Sequence, residues 1–204
     1  MARRLTPKGA RRRQELMDVA AHRFAADGYH ATSVTSIVES IGVGKGVFYW
    51  YFASKDELFG EILTDGFRSM RAAERDAIAG EPDPARRIER DIRASLRWLS
   101  DHRHLYALME FARTEERFAP IIRSGDDQTL ADALPHVSAG ITAGLLRGED
   151  PEVLTMAILG VTAHLARELV LGRGQDADRV AGVAIAFCRQ GYLADDPSVA
   201  RRIA

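Results

Sequence analysis

Residues 42–52 read GVGKGVFYWYF, a glycine-rich run that leads into five consecutive aromatic residues. Before it, Ser33 precedes a short helical pattern of apolar residues that ends at Gly42. Two short helices joined by three or four residues that include glycine form a helix-turn-helix, whose second helix lies in the DNA major groove. The segment predicts this motif, although short helix connections also occur in any helical bundle.

The aromatic residues carry the chemistry that favours DNA. Phe48 and Phe52 are four residues apart, so both are expected to face the core. Tyr49 and Trp50 then lie on other faces, where a hydroxyl group can bond a phosphate and apolar surface can contact a thymine methyl group. Gly46 has no side chain and lets the backbone approach the duplex. The alternative is that Gly46 only loosens a turn and the aromatic side chains pack on the body of the protein.

The rest of the sequence predicts helices throughout. A first helix is expected from near Arg11 to Gly28, where glycine can end a helix. Ser54 and Glu57 have the spacing of a capping box that begins a long fourth helix. Apolar residues at helical spacing predict five further helices, and Pro135 predicts a kink in the seventh. No strand-like alternation competes, so the sequence predicts an all-α chain of about nine helices.

Composition narrows the class of protein. The chain has 204 residues, of which 46% are hydrophobic and 28% charged, the mix of an ordinary globular protein. No run of eighteen apolar residues and no signal-peptide core occurs, so we expect a cytoplasmic protein without a membrane span. Cys188 is the only cysteine, which excludes an internal disulfide framework. No Ser-His-Asp arrangement, P-loop or dinucleotide fingerprint appears, so no enzyme, cofactor or metal site is expected.

The net charge of −1 conceals an uneven distribution. Residues 1–55 contain nine Lys/Arg and four Asp/Glu, a net charge of +5, so the remaining residues carry −6. A basic N-terminal part on an acidic body is typical of a nucleic-acid-binding module attached to a domain that does not touch nucleic acid. A solvated basic tail is an equal alternative, because six of the nine positive charges lie between Arg3 and Arg13.

A set of positions in order resembles a known DNA-binding domain. They are Gly28-Tyr29, Thr32-Ser33-Val34 with Ile37, residues 42–52 as quoted, and Lys55-Asp56-Glu57-Leu58-Phe59. This stretch, about residues 10–60, resembles the DNA-binding domain of TetR-type transcriptional regulators. Two positions depart from the family pattern: Gly44 stands where serine or threonine is common, and Trp50 is bulkier than the usual polar residue. The rest of the chain resembles the family only in length and helical pattern.

The resemblance implies two domains and a regulatory function. Residues 1–54 would form a three-helix helix-turn-helix domain with a basic arm, and residues 55–204 a larger helical ligand-binding and dimerisation domain. A homodimer would bind operator DNA, and we expect a repressor that a small-molecule effector releases by favouring another spacing of the two DNA-binding heads. The alternative is an all-helical small-molecule-binding or scaffold protein without specific DNA recognition.

Carried over by position, the resemblance implies a set of DNA-binding residues. Those expected to contact phosphates are Thr32, Ser33, Tyr49, Tyr51 and Lys55. Those expected to meet base edges are Thr35, Lys45, Gly46 and Val47. Trp50 joins the set as the bulky neighbour whose exact contact the resemblance does not define.

The C-terminal part offers candidates for two further sites. Adaptable and aromatic residues that could line a ligand pocket, with ordinary core as an equal alternative for each, are Met70, Trp98, Tyr106, Met109, Phe111, Arg113 and Phe118. The last two predicted helices are apolar around more than half of their circumference, which one core-facing side does not require. Residues there that predict a two-fold four-helix dimer interface are Leu154, Ile158, Gly160, Val161, Leu165, Val180, Ala184 and Phe187.

Overall fold

The computed structural model describes residues 5–192, and in this range the chain contains helices and no β-strand. The nine α-helices of this range are α1 Pro7–Asp27, α2 Val34–Ser40, α3 Lys45–Tyr51, α4 Lys55–Ile78, α5 Pro84–Asp101, α6 Arg103–Arg113, α7 Ala119–Thr142, α8 Pro151–Leu165 and α9 Ala177–Tyr192. A 3₁₀ turn, Glu116–Phe118, precedes α7, and a π-helical segment, Ala166–Leu171, follows α8. The predicted all-α class and the number of helices are confirmed.

The start of the first helix differs from the expectation. The first helix begins at Pro7 instead of near Arg11, because the Thr6 hydroxyl accepts a hydrogen bond of 3.2 Å from the Gly9 amide and proline suits the first turn. The basic residues of the predicted arm from position 8 onward are therefore helical, while Arg3 and Arg4 lie outside the described residues. Helix α7 is continuous across Pro135, and the kink expected there stays a prediction.

The chain forms two compact units. The first runs to Arg68 and includes Arg103–Arg123, and the second combines Ser69–His102 with the chain from Ser124 onward. These units do not coincide with the sequence domains, because the first recruits α6 as well as the N-terminal helices. The functional division at residue 54 stays a prediction.

The core of the first unit is built on aromatic side chains. Helix α1 packs on α2 and α6, and its apolar stripe buries Leu16 and Phe24. Phe24 meets Phe59 edge to face, with ring centroids 5.3 Å apart. Edge-to-face pairs add roughly 0.5–1.5 kcal/mol beyond the area they bury, so these contacts hold α1 against the start of α4.

The core of the second unit lies where α9 packs on α5 and α8. Leu96 from α5 is fully buried, as are Val180 and Ala184 from α9. The thiol of Cys188 is also buried, and this burial raises its pKa. At the solvent side of this core, Arg97 of α5 forms a bidentate pair with Asp178 of α9, with nitrogen to oxygen distances of 2.6 and 3.0 Å.

Helix α8 and the π-helical segment together form an unusually apolar run. Pro151–Leu171 is long and apolar enough to cross a membrane by length and composition, and only 33% of its most apolar window is buried. The criterion of eighteen uninterrupted apolar residues therefore missed a segment that qualifies on average hydropathy. Length and composition alone are weak evidence for a span, because helices that bury this surface against protein meet the same criterion. The exposed apolar side is considered below.

Candidate nucleic-acid interface

Helices α2 and α3 form the predicted helix-turn-helix. The Ser33 hydroxyl accepts a 3.0 Å hydrogen bond from the Ser36 amide, and the Ser36 hydroxyl accepts one of 3.2 Å from the Ser33 amide, so α2 begins with a reciprocal cap. Gly42 adopts a φ of +66°, a conformation that favours glycine, and turns the chain toward α3. Gly44 is the N-cap residue of α3, and no side chain donates or accepts a hydrogen bond at this cap. The hydroxyl group that is common at this position in TetR-type regulators is therefore not replaced by another side chain.

Helix α3 separates its aromatic residues into two sets. Phe48 and Phe52 are fully buried, as the spacing of four predicts. Tyr49 and Trp50 are 58% and 57% exposed, which argues against the alternative in which they pack on the body. Gly46 is also exposed, and a Cβ placed on it would meet no atom within 4 Å. Exposed aromatic rings beside backbone that has no side chain can contact the polar edges of bases in a DNA groove.

The other predicted contact residues differ in their exposure to solvent. Lys45 and Ser33 are exposed, whereas Thr35, Val47 and Tyr51 are partly exposed. The Tyr51 hydroxyl lies near the start of α1, 3.5 Å from the position of a Cβ on Gly9. Helices α2 and α3, which carry or adjoin these residues, pack together.

Two predicted phosphate contacts are engaged inside the protein. Thr32 is buried, and its hydroxyl donates a 2.8 Å hydrogen bond to the carbonyl of Gly28. The Lys55 ammonium donates to the carbonyls of Tyr29 and Thr32 at 2.8 and 2.9 Å and lies 4.2 Å from the centre of the Tyr29 ring. Partial burial lowers the pKa of Lys55. Both residues therefore fix the loop before α2, and their predicted phosphate contacts stay untested.

Tyr29 has a structural role that the sequence did not indicate, although the residue is one of the positions that carry the resemblance. Its hydroxyl donates to the carboxylate of Asp56, and burial together with this bond raises the pKa of Tyr29. Its ring packs edge to face on Phe59 at 4.8 Å and stacks on Phe111 at 5.5 Å. The guanidinium of Arg117 lies 5.0 Å from the ring centre. The loop that leads into the helix-turn-helix is thus held on several sides within the first unit.

Ion pairs within the first unit engage part of the predicted basic arm. Arg12 pairs with Glu15 at 2.7 Å, and Arg13 pairs with Glu61 at 2.8 Å. Lys8 and Arg11 are exposed on the first turns of α1. The positive charge that is presented to solvent is therefore smaller than a count of the arm suggests.

The sequence of this unit matches a family model. Residues 16–62 match the model of bacterial regulatory proteins of the tetR family, a range that contains α2, α3 and the start of α4. This part of the chain is a TetR-family DNA-binding domain. Its helix-turn-helix is therefore the DNA-binding motif of a transcriptional regulator, and the predicted function as a regulator that is not an enzyme is confirmed.

Similar proteins agree with the family match over both parts of the chain. The HTH-type transcriptional regulator YdgC of Bacillus subtilis is 24% identical over 91% of this chain and 95% of its own length. The repressor KstR2 of Mycobacterium tuberculosis is 34% identical over 45% of this chain and 46% of its own length. The structure of KstR2 aligns with a TM-score of 0.70 at 25% identity, covering 90% of this chain and 96% of that one. A tetR-family protein from Rhodococcus RHA1 aligns with a TM-score of 0.76 at 24% identity, covering 91% and 98%.

The seven predicted pocket residues belong to different units. Met70 and Trp98 lie in the second unit, and the Trp98 indole donates a 3.1 Å hydrogen bond to the hydroxyl of Ser69. The first unit contains the other five, namely Tyr106, Met109, Phe111, Arg113 and Phe118. Phe111 and Phe118 belong there to the aromatic cluster around Tyr29. Each residue with a described contact is therefore accounted for by packing, and a ligand role stays a prediction.

The predicted dimer residues divide into buried and exposed groups. Those buried within the chain's own second unit are Leu154, Ile158, Val180 and Ala184. Val161 and Leu165 are partly exposed, while Gly160 is exposed and Phe187 is 64% exposed. Further exposed apolar residues that the sequence did not identify are Val153, Met156 and Val183. The apolar pattern identified the two helices, but it did not distinguish the inner side from the outer one.

Proposed function

We propose that the protein is a transcriptional repressor that binds operator DNA as a homodimer and is released by a small molecule. The observation that carries this proposal is helix α3, which exposes Tyr49, Trp50 and the bare backbone of Gly46 beside an amino-terminal Lys45. Repression is supported by the relative KstR2, which is named a transcriptional repressor. Action on bacterial operators implies a cytoplasmic location.

The roles proposed for α3 follow from its geometry. Lys45 and Gly46 lie in the first turn and Val47 follows them, so these residues would meet base edges when the amino-terminal end of α3 enters the major groove. The exposed hydroxyl of Tyr49 would donate to a phosphate oxygen, which fixes orientation without reading sequence. Ser33 and Thr35 from α2 would flank the same backbone.

The proposed dimer uses the outer sides of α8 and α9. On α8 the exposed positions Val153, Met156 and Gly160 recur at steps of three and four, so they share one side of the helix. On α9 the exposed apolar positions Val183 and Phe187 do the same. Large exposed apolar patches mark interaction surfaces, and the same faces from a second copy would close a four-helix bundle.

Glycine on this surface supports close helix packing. A Cβ placed on Gly160 would meet no atom within 4 Å, and the same holds for Gly182 on α9. Both positions are exposed, so their small size serves no contact among the described residues. Small residues let helix axes approach closely, which suits an interface between copies of the chain.

The test is a titration of the full chain against its own upstream DNA at two salt concentrations. A regulator should bind one site with an affinity at least about a thousandfold above its affinity for unrelated DNA. Binding of both DNAs weakens as salt rises, because phosphate contacts release counterions. Equal affinity for both DNAs at each salt concentration would favour the all-helical scaffold and refute the proposal.

A further inference from the structure

The second unit contains a cavity that none of the predicted pocket residues lines. It lies among α4, α5 and α7 and has a volume of about 280 Å³. Its lining residues are Arg71, Glu74, Arg75, Ile78, Asp91, Thr129, Asp132, Ala133 and His136. This volume lies just below the range for small-molecule sites, roughly 300–1,000 Å³, so only a compact ligand fits.

The positive charges of the cavity are already engaged. The Arg71 guanidinium donates a 2.7 Å hydrogen bond to Asp132 and a second bond to the side-chain carbonyl of Gln128. Arg75 reaches the same Asp132 carboxylate at 3.5 Å. These contacts lower the pKa of Asp132, which is ionised and balances the arginines. An anionic ligand would have to compete with this carboxylate.

The two other carboxyl groups have no ion pair of their own among the described residues, and Arg71, which is paired with Asp132, offsets the charge of Glu74 only in part. Glu74 is only 7% exposed, and its described hydrogen bond comes from the hydroxyl of Ser95. Asp91 faces the same cavity from α5. Among residues 5–192, no ion pair joins a lysine or arginine to Glu74 or Asp91. Burial and repulsion by Asp91 raise the pKa of Glu74 to about 8, and burial and repulsion by Asp132 raise the pKa of Asp91 to about 6.

We propose that this cavity is the effector site and that its ligand is a small organic cation, an amine with a hydrocarbon body, bound between Glu74 and Asp91. The inference rests on the proposed function, because it gives the effector a site and a chemical class. A buried charge without a partner is costly, and an ammonium group would supply the missing partner for both carboxylates. Binding would displace the proton that Glu74 carries at neutral pH.

The remaining lining selects an organic cation over a metal ion. Ile78 and Ala133 give the cavity an apolar wall. A narrower cleft shares Asp91, Ala133 and His136 with it and adds the apolar side chains of Ile88, Val137, Ile158 and Leu159. No group of three or more metal-ligating side chains with suitable placement occurs in the described part of the chain. Burial and nearby Arg87 lower the pKa of His136, so its imidazole is neutral at pH 7 and does not repel a cation.

The experiment compares three probes of similar shape by calorimetry on the full chain at pH 7. They are 4-phenylbutylamine, 4-phenylbutan-1-ol and 4-phenylbutyrate, with n-butylamine and tryptamine as amines of other sizes. We expect at least one amine to bind, the alcohol and the carboxylate to bind about tenfold or more weaker, and amine binding to release close to one proton. Amine affinity should rise from pH 6 to pH 8, as Glu74 loses its proton more easily.

Two variants on α4 make the test specific. Glu74→Gln should weaken the amine about tenfold to a hundredfold and abolish the proton release, while Asp76→Asn, an exposed acid on the same helix, should change neither. Preference for the alcohol or the carboxylate would overturn the inference, as would no amine binding at about 1 mM or full amine affinity in Glu74→Gln. Operator binding by both variants without a probe separates these failures from a failure of the proposed function.

Discussion

Two helix pairs of this chain expose large apolar side chains, and they expose different kinds. On the α2–α3 pair the exposed groups are the rings of Tyr49 and Trp50, each with a polar edge. On the α8–α9 pair Val153, Met156 and Phe187 have no polar atom to offer. The polar groups of Tyr49 and Trp50 can form hydrogen bonds with a hydrated, charged partner. Apolar side chains stabilise a complex only when they are buried against other apolar surface. The difference supports both proposals, namely that the first pair binds DNA and that the other pair binds a second copy of the chain.

The largest effect is expected from a charge on the α8–α9 pair. Gly160→Arg places a long cation on the proposed interface at a position with open space around it in the monomer. The variant should therefore fold, lose the dimer at micromolar concentration and lose specific operator binding with it. Light scattering and DNA titration measure the two losses.

The matched control is Gly148→Arg, because Gly148 is also exposed and surrounded by open space but precedes α8 in a loop. It should dimerise and bind DNA as the parent chain does. A Gly160→Arg protein that remains a dimer and binds its operator would remove α8 from the interface.

The second prediction distinguishes Lys55 from Lys45, two lysines that the resemblance places in contact with DNA. Lys55→Met removes the donor for the carbonyls of Tyr29 and Thr32 and should lower the free energy of unfolding by about 1.5–3 kcal/mol. Lys45→Met, on exposed α3 surface, should change it by less than about 0.5 kcal/mol and weaken operator binding instead. Urea unfolding and DNA titration of both variants decide the point, and equal stability of the two proteins would contradict the internal role of Lys55.

A third prediction concerns the bare backbone of α3. Gly46→Ala adds a methyl group that meets nothing in the protein, so it should raise the free energy of unfolding by up to about 1 kcal/mol. On DNA the same methyl group would stand between the backbone and a base edge, and we expect operator binding to weaken by about 1–3 kcal/mol. Opposite signs in thermal unfolding and DNA titration are the expected result. Unchanged operator affinity would show that the duplex does not come close to Gly46.

The smallest effect on operator binding is expected when a single group is removed from Tyr49 or Val47. Tyr49→Phe removes one hydroxyl and should weaken binding by about 1–2 kcal/mol on every DNA sequence alike. Val47→Ala should instead change which base is preferred. Titrations against operators with single base changes distinguish the two results, and the reverse pattern would exchange the roles of these residues.

The sequence predicted the helix-turn-helix because that information is local. The cap at Ser33, the turn at Gly42 and the spacing of Phe48 and Phe52 each act within a few residues, and the structure confirms them. The internal role of Lys55 was missed because its two carbonyl partners lie more than twenty residues earlier in the chain. No local pattern encodes that contact.

The surfaces of α8 and α9 were only half predictable, for a related reason. Both helices are apolar on two sides, and periodicity alone does not say which side faces the chain's own core. Glu74 did leave a signal, since it lies four residues after Met70 and four before Ile78, within the apolar side of α4. An acid at such a position is rarely buried unless it is paired, which makes Glu74 a candidate for a binding site.

The buried thiol of Cys188 in α9 allows local opening of the second unit to be measured. Cys188 is the only cysteine of the chain, so a thiol reagent can label one position alone. Burial excludes the reagent, and the raised pKa of Cys188 keeps the sulfur in its less reactive protonated form. Labelling therefore requires that the packing around α9 opens, and its rate counts those opening events. The chain carries its own reporter of native-state fluctuations, at a site that needs no engineered cysteine.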